Sequence, residues 1–555
     1  MTYNYPHLNE IYRRSLAENF NLPCLSDYNT KEELSYGQFA ERLARTHILL
    51  EKAGVRPGDK VALLGKNNVN WVVAFFATLT YGAVVVPILV EFNPRDAQHI
   101  VNHSDAVLLF VSDAVWEAVE WDRMPQLKAA MSLDSRRVLA QREGTDMEAI
   151  VAGIDAEMKA RYPQGFRPDD VWARPMADDD LALINYTSGT TGFSKGVMLS
   201  HGNLWGNVVF GIESRLHYRG SRALSFLPLA HAYGCAFDML VPMAVGTHIT
   251  LLGRTPTPRI LLKALAEVKP SLIVCVPLIL EKIYRRMIVP VITSRPMRWA
   301  LMVPFMDHAI YPRIRRKLVE AFGGEFEEVI IGGAPLNQEV EDFLHTIRFP
   351  FTVGYGMTEC GPLISYTPWR RFVPTSAGEL LPGLMDGKIL AKEGEKLGEI
   401  MVKGKNVMQG YYKNPDATEA VLEEDGWLHT GDMGRLGGEE NRTIFIRGRY
   451  KTMILTATGQ NVYPEEIESK LNNMPYVAES LVVERNGHLE ALVYPDSEQT
   501  DQAGIDNEGL VAAMEENRTE LNKLVAPYER IERIELRDEE FEKTPKRSIK
   551  RYLYS

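Results

Sequence analysis

Between Tyr186 and Gly196 the chain reads Tyr-Thr-Ser-Gly-Thr-Thr-Gly-Phe-Ser-Lys-Gly, directly after the apolar run Leu181-Ala-Leu-Ile-Asn. Such a loop suits a phosphate. Gly189, Gly192 and Gly196 let the backbone turn so that successive N–H groups converge on an anion. Thr187, Ser188, Thr190 and Thr191 add hydroxyl donors, and Lys195 adds a positive charge. The phosphate loop of kinases and GTPases needs Gly-x-x-x-x-Gly-Lys-Ser/Thr, whereas Lys195 follows Ser194 and precedes Gly196, so that class is disfavoured. Standing alone, the segment reads equally as a polar surface turn.

Four further clusters follow in order: Gly332-Gly333-Ala334-Pro335-Leu336, Gly354-Tyr355-Gly356-Met357-Thr358-Glu359, Trp427-Leu428-His429-Thr430-Gly431-Asp432 and Arg447-Gly448-Arg449-Tyr450-Lys451. With the hydroxyl-glycine loop, their order and spacing resemble the adenylate-forming superfamily of acyl-CoA synthetases, nonribosomal peptide adenylation domains and beetle luciferases. Within it the chain is most similar to the long-chain fatty acid CoA ligases, and the resemblance covers nearly its whole length. It implies that a fatty acid is activated with ATP and Mg²⁺ to acyl-AMP, then transferred to coenzyme A. Two neighbouring readings stay open: transfer to an acyl carrier protein, and an acyl-adenylate-binding protein with weakened catalysis.

Residue by residue, the resemblance makes Glu359 the Mg²⁺ ligand with Thr190 nearby, a role that suits a hard cation preferring oxygen. Tyr355 becomes the wall under the adenine, Thr358 a donor to the α-phosphate, and Gly332 and Gly333 the place where backbone approaches the nucleotide. Gly354, Gly356 and Met357 belong to the same nucleotide-binding stretch. Asp432 and Arg449 fall to the ribose, and His231 to the substrate carboxylate. Lys451 becomes a hinge, and Gly459 leaves room for the thiol arm of CoA. Segments 207–211, 233–238, 277–280 and 361–364 are candidates for the acyl pocket by analogy. Each residue also has a plain reading: a helix-start carboxylate for Glu359, core packing for Tyr355 and His231, a turn for Thr430-Gly-Asp, a basic loop around Lys451.

One tract departs from the pattern. Where the family has a tract resembling Thr-Pro-Thr-Gly-Lys-Ile-Lys-Arg, this chain has Thr544-Pro-Lys-Arg-Ser-Ile-Lys-Arg551, so Ser548 stands in place of the lysine that contacts the carboxylate and α-phosphate. Two outcomes stay open: Lys546 or Lys550 reaches in by a shifted loop, Lys546 being the expected substitute, or adenylation is slow with thiolysis intact.

Composition agrees with these expectations. The 555 residues carry 62 basic and 73 acidic side chains, a net charge of −11 that disfavours a nucleic-acid partner. Cys24, Cys235, Cys275 and Cys360 lie far apart without metal-ligand spacing and read as reduced thiols of a cytoplasmic protein. The first residues lack the basic and apolar regions of a signal peptide. Residues 71–90 carry no charge, but Gly82 and Pro87 divide them into a buried helix and a short parallel strand rather than a membrane span. Residues 288–317 mix Trp299, Met302 and Phe305 with Arg295, Arg298, Arg313, Arg315, Arg316 and Lys317. They read either as a peripheral membrane contact or as a helical insertion with a solvated basic edge.

Short Val/Ile/Leu runs beginning at Lys60, Ala106, Ser271 and Glu328 alternate with helical patterns over 36–54 and 257–268. That alternation predicts an α/β chain with stacked, mainly parallel sheets and helices outside. The expected division is a large AMP-binding domain over 1–448, a hinge at 449–452 and a smaller, mobile α+β domain over 453–555. Pro464, followed by Glu465 and Glu466, should open a helix of that domain.

Overall fold

In the computed structural model, residues 3–187, 194–303, 305–455, 461–485, 487–544 and 548–554 are described. The predicted α/β architecture is present. An eight-stranded sheet runs in the order Gly410–Tyr411, Lys195–Ser200, Leu181–Thr187, Val84–Ile88, Lys60–Leu64, Ala106–Val111, Ala129–Ser132 and Val138–Gln141. Its middle strands are parallel and its margins antiparallel. A seven-stranded sheet runs Phe351–Val353, Glu328–Ile331, Leu272–Cys275, Arg222–Ser225, His248–Leu251, Pro23–Asp27 and Glu33–Ser35, parallel except at its last pair.

The uncharged run 71–90 divides as its glycine and proline predict. Asn68 caps the helix Val69–Tyr81 by accepting from the Trp71 N–H at 2.8 Å. Twelve of its residues are buried, so this helix is core all round. It stops at Gly82, whose φ of 88° is open to glycine at little cost. The strand Val84–Ile88 follows, buried throughout. Among the described residues no helix is long and apolar enough to cross a membrane.

A third large sheet was not anticipated. It is antiparallel, in the order Tyr355–Gly356, Leu363–Tyr366, Glu379–Leu380, Thr443–Arg449, Leu428–Gly437, Gly398–Gly404 and Met385–Leu390. Three of its strands carry predicted site residues, Tyr355 and Gly356 on the first, and the register of the other two sets Asp432 opposite Arg449.

Beyond it lies the smaller C-terminal unit, with cores of its own. The helix Pro464–Leu471 begins at the predicted proline. A three-stranded sheet of Val477–Arg485, His488–Pro495 and Ile531–Leu536 packs with the helix Asn507–Leu524. Polar contacts join this unit to the rest: Arg285 Nη2 donates to the Asn472 carbonyl at 2.6 Å, and Arg447 pairs with Glu466 at 3.0 Å.

Candidate active site

Parallel strands aim their carboxyl ends at one edge of a sheet, and ligands of open α/β sheets collect there. Strands Glu328–Ile331 and Phe351–Val353 are neighbours, with Ile331 paired to Val353. The Gly332-Gly333 and Gly354-Tyr355 segments therefore leave the sheet side by side, tied by the Gly354 N–H donating to the Ile331 carbonyl at 2.9 Å. Over this edge opens a cleft lined by Gly332, Gly333, Gly354, Tyr355, Gly356, Met357 and Thr358, with His231 at its wall. Glycine is required here for two reasons. A Cβ on Gly332 would come 3.0 Å from the Tyr233 ring, and one on Gly356 would come 2.2 Å from the Pro362 carbonyl oxygen.

Tyr355 is buried, and its hydroxyl donates to Asp432 Oδ2 at 2.6 Å. Burial lifts the Asp432 carboxyl above the usual range, against the opposing pull of Arg449, whose Nε lies 3.5 Å from Oδ1. The ring under the cleft and the carboxylate beside it are thus one unit. Asp432 is itself held by its loop: Glu399 accepts from the Gly431 N–H at 3.0 Å and pairs with His429 Nδ1 at 2.9 Å, while the Thr430 hydroxyl donates to the Ile400 carbonyl at 2.7 Å. Thr430-Gly-Asp is a turn in backbone terms and a presented carboxylate in chemical terms.

Lys195 opens the strand Lys195–Ser200, opposite Thr187 at the end of Leu181–Thr187. The two strands pair antiparallel. Ser188, Gly189, Thr190, Thr191 and Gly192 lie outside the described residues, as do Gly459 and Lys546. The Lys195 ammonium sits 4.8 Å from the centre of the Tyr411 ring, and the Tyr411 hydroxyl donates to Glu359 Oε1 at 2.9 Å. Burial, then the neighbouring Glu359, push the Tyr411 phenol well up, so it stays a donor. Tyr411 belongs to the two-residue strand Gly410–Tyr411 alongside Lys195–Ser200, and the Tyr412 N–H donates to the Gly196 carbonyl at 2.7 Å.

Glu359 follows the cleft residues in the short turn Thr358–Cys360 and keeps Oε2 free of hydrogen bonds among the described residues. Those residues include no group of three or more His, Cys, Asp or Glu suited to a metal. One carboxylate fits Mg²⁺, which keeps water and takes further oxygens from a nucleotide.

His231 lines the cleft, and its Nδ1 accepts from the Tyr233 N–H at 3.3 Å. Arg449 is largely exposed at the end of Thr443–Arg449, and Lys451 is exposed in the turn Tyr450–Thr452. The apolar end of the cleft is formed by Leu216, Tyr233, Phe237, Ile330, Leu363 and Tyr366. Segments 233–238 and 361–364 therefore reach it, whereas 277–280 does not line it and Asn207 acts from behind. Asn207 accepts from the Leu363 N–H at 2.9 Å and donates to the Cys360 carbonyl at 3.2 Å, shaping backbone. Asp238 points away, accepting from the Leu227 N–H at 3.3 Å, and burial pushes its carboxyl up to about 8.

Sequence reasoning missed Tyr411 and Glu399. Tyr411 lies in Gly410-Tyr411-Tyr412-Lys413, where a glycine before paired aromatics is a weak signal, and Glu399 follows Gly398 in an ordinary strand.

The AMP-binding enzyme profile matches residues 12–412, and the profile of the AMP-binding enzyme C-terminal domain matches 451–554. The chain is 29% identical over 476 residues to the long-chain-fatty-acid–CoA ligase FadD15 of Mycobacterium bovis, covering 81% of this chain and 75% of that protein. It is 29% identical over 529 residues to the human long-chain-fatty-acid–CoA ligase 1, covering 88% and 74%. In fold it is similar to the anthranilate CoA ligase AuaEII in complex with anthranoyl-AMP, with a TM-score of 0.77, 20% identity and coverage of 99% and 96%. ATP-bound MatB from Rhodopseudomonas palustris gives a TM-score of 0.74 at 23% identity, covering 99% and 98%. This chain belongs to the AMP-binding enzyme family.

Proposed function

We propose that the protein is an AMP-forming acid–CoA ligase acting on a long-chain fatty acid. The observation that carries this reading is the convergence of two glycine segments from adjacent parallel strands on one cleft, with Asp432 held beneath it through Tyr355. A carboxylate oxygen attacks the α-phosphorus of ATP, and the bond to pyrophosphate breaks. The thiolate of CoA then attacks the acyl carbon, and the bond to AMP breaks.

In this reading Tyr355, Gly332 and Gly333 enclose the adenine, and Asp432 and Arg449 accept and donate at the ribose hydroxyls. Lys195 meets the phosphates, with the glycines and hydroxyls of 187–192 beside it. His231 and Thr358 meet the carboxylate and the α-phosphate. Mg²⁺ would be held by Glu359, with Thr190 near it, and would offset charge on the phosphate oxygens. The small domain, 453–555, turns about 449–452 at Lys451 between the two steps, and Gly459 then admits the thiol arm of CoA. The apolar cleft lining of Leu216, Phe237, Ile330 and Leu363 supports a hydrocarbon substrate. The four free, buried cysteines suit a reducing, cytoplasmic compartment.

Pyrophosphate release across a panel of carboxylic acids, with and without CoA, tests the reading. Release with long-chain acids, and AMP as co-product, is expected. ADP as product, or no acid-dependent release, overturns it. A carrier-protein acceptor would show as CoA-independent release without acyl-CoA.

A further inference from the structure

The three most exposed large apolar side chains of the described residues, Phe305 at 83%, Trp299 at 73% and Met302 at 70%, lie within seven positions of one another. Their elements explain why they face outward. In the helix Arg295–Met302, Met297, Ala300 and Leu301 pack on the main core, which turns Trp299 and Met302, three apart, to the opposite face. In the next helix, Asp307–Ala321, the buried stripe is Ile310, Ile314 and Leu318. Between them Phe305 is held at φ 67°, a conformation that costs a bulky side chain energy and here presents its ring to solvent.

The surrounding charge has the opposite sign to the rest of the molecule. Residues 282–317 contain nine lysines and arginines against a single acid, Asp307, in a chain whose net charge is −11. Asp307 is already paired with His308 at 2.9 Å. Arg295, Arg298, Arg313 and Lys317 are exposed and in no ion pair among the described residues. An apolar tip ringed by cations is repelled by a second copy of itself. It suits an anionic, apolar-cored surface, where aromatic and thioether groups enter the acyl boundary and arginines meet lipid phosphates.

We infer that the insertion 288–317 docks the protein on anionic lipid bilayers, with Trp299, Met302 and Phe305 inserted and the flanking arginines on lipid headgroups. The insertion follows in sequence from a strand that ends beside the site. The strand Leu272–Cys275 ends beside Val276, whose side chain would lie 3.8 Å from a Cβ on Gly333, and the helix Pro277–Ile283 then leads outward. The tip is reached along the chain through the consecutive helical segments Pro277–Ile283, Tyr284–Ile288 and Val289–Ile292.

Flotation of the purified full chain with vesicles tests this, and it contains no ATP, acid or CoA, so its outcome is independent of the ligase reading. Vesicles of phosphatidylcholine with about 25 mol% phosphatidylglycerol, in about 0.1 M salt, should carry the protein upward, and pure phosphatidylcholine should carry far less. Trp299→Ser with Phe305→Ser, and separately Arg295→Gln with Arg298→Gln, should each weaken partition at least tenfold, since each lipid-facing cation contributes about 1 kcal/mol. All four side chains are exposed, and unchanged melting temperatures check that the variants fold. Wild-type protein that stays down with anionic vesicles overturns the inference. So does equal flotation of the variants, or self-association or nucleic-acid binding through this tip without vesicle binding.

Discussion

Tyr411 joins two groups that are far apart in sequence: its hydroxyl donates to Glu359 Oε1 at 2.9 Å while its ring lies 4.8 Å from Lys195 Nζ. One side chain thereby sets the spacing between the cation and the carboxylate on which the proposed nucleotide chemistry depends. Tyr411→Phe keeps the ring and removes the hydrogen bond, and should lower acid-dependent pyrophosphate release about tenfold. Its requirement for Mg²⁺ should rise. Tyr411→Ala removes both supports and should lose about a hundredfold. Lys195→Ala or Glu359→Gln made in the Tyr411→Ala background should then cost less than in wild type, because the three act together. Additive losses would mean that Tyr411 is only packing. Raised Mg²⁺ should partly restore Glu359→Gln and not Lys195→Ala.

The distance between these residues also explains what the sequence discloses. Local features were legible. The helix Val69–Tyr81 and the strand Val84–Ile88 come from an uncharged run with a glycine and a proline inside it, and Pro464 opens its helix. The cleft was legible because its glycines stand in short motifs: a side chain at Gly332 would crowd Tyr233, one at Gly356 would collide with the Pro362 carbonyl, and Gly333 sits at φ 87°. The antiparallel sheet was not, because strands such as Met385–Leu390 and Leu428–Gly437 are only partly buried and show no regular alternation. What makes them strands is the partner opposite. Tyr411 and Glu399 owe their roles to pairing across the fold in the same way, and no local pattern marks them.

Burial holds His47, His201 and His217 down to about 4 each. Their folded values lie below the unfolded value of about 6.5. Above that pH both states are neutral and nothing changes. As pH falls from about 6.5 toward 4 the unfolded chain takes up protons that the folded chain refuses, so stability is lost, by about 3 kcal/mol for each histidine. His429 has the opposite sign: Glu399, and after it Glu423, raise its value, so its contribution is present below about 6.5 and is lost as pH rises through the raised value. Urea midpoints measured between pH 7 and pH 4.5 should fall steadily for wild type and less steeply for His47→Leu. A flat wild-type profile would show that these imidazoles protonate inside the folded protein.

Lys451 lies exposed in the turn Tyr450–Thr452, directly after the strand end where Arg449 meets Asp432. If the small domain turns there, fixing one torsion should separate the half-reactions. Lys451→Pro should spare either adenylation, read as a burst of pyrophosphate, or thiolysis of supplied acyl-AMP, with a difference of at least tenfold between them. Equal losses in both would remove the hinge from this position.

Ser548 poses the sharpest chemical question, because a hydroxyl stands where the resemblance expects a cation, and one lost preorganised contact costs a rate about a hundred- to a thousandfold. The neighbouring cations are committed elsewhere. Lys550 pairs with Glu542 at 3.3 Å, and its N–H donates to the Glu542 carbonyl at 2.8 Å. Arg551 is bound to Glu468, a largely buried carboxylate, and lies 3.6 Å from Glu465. A backbone bridge joins Lys543 to Ile549, and the Thr544 N–H donates to the Ser548 carbonyl at 2.8 Å. Lys546 and Arg547 lie outside the described residues, and of these two cations we propose Lys546 as the one that serves adenylation. In pyrophosphate exchange Lys546→Ala should fall at least tenfold, while Ser548→Lys changes little. Arg551→Gln should instead lower the melting temperature, since it leaves Glu468 buried without its partner. A large gain in Ser548→Lys with no loss in Lys546→Ala would mean that the first step is slow in this protein, and thiolysis of supplied acyl-AMP should then run at a normal rate.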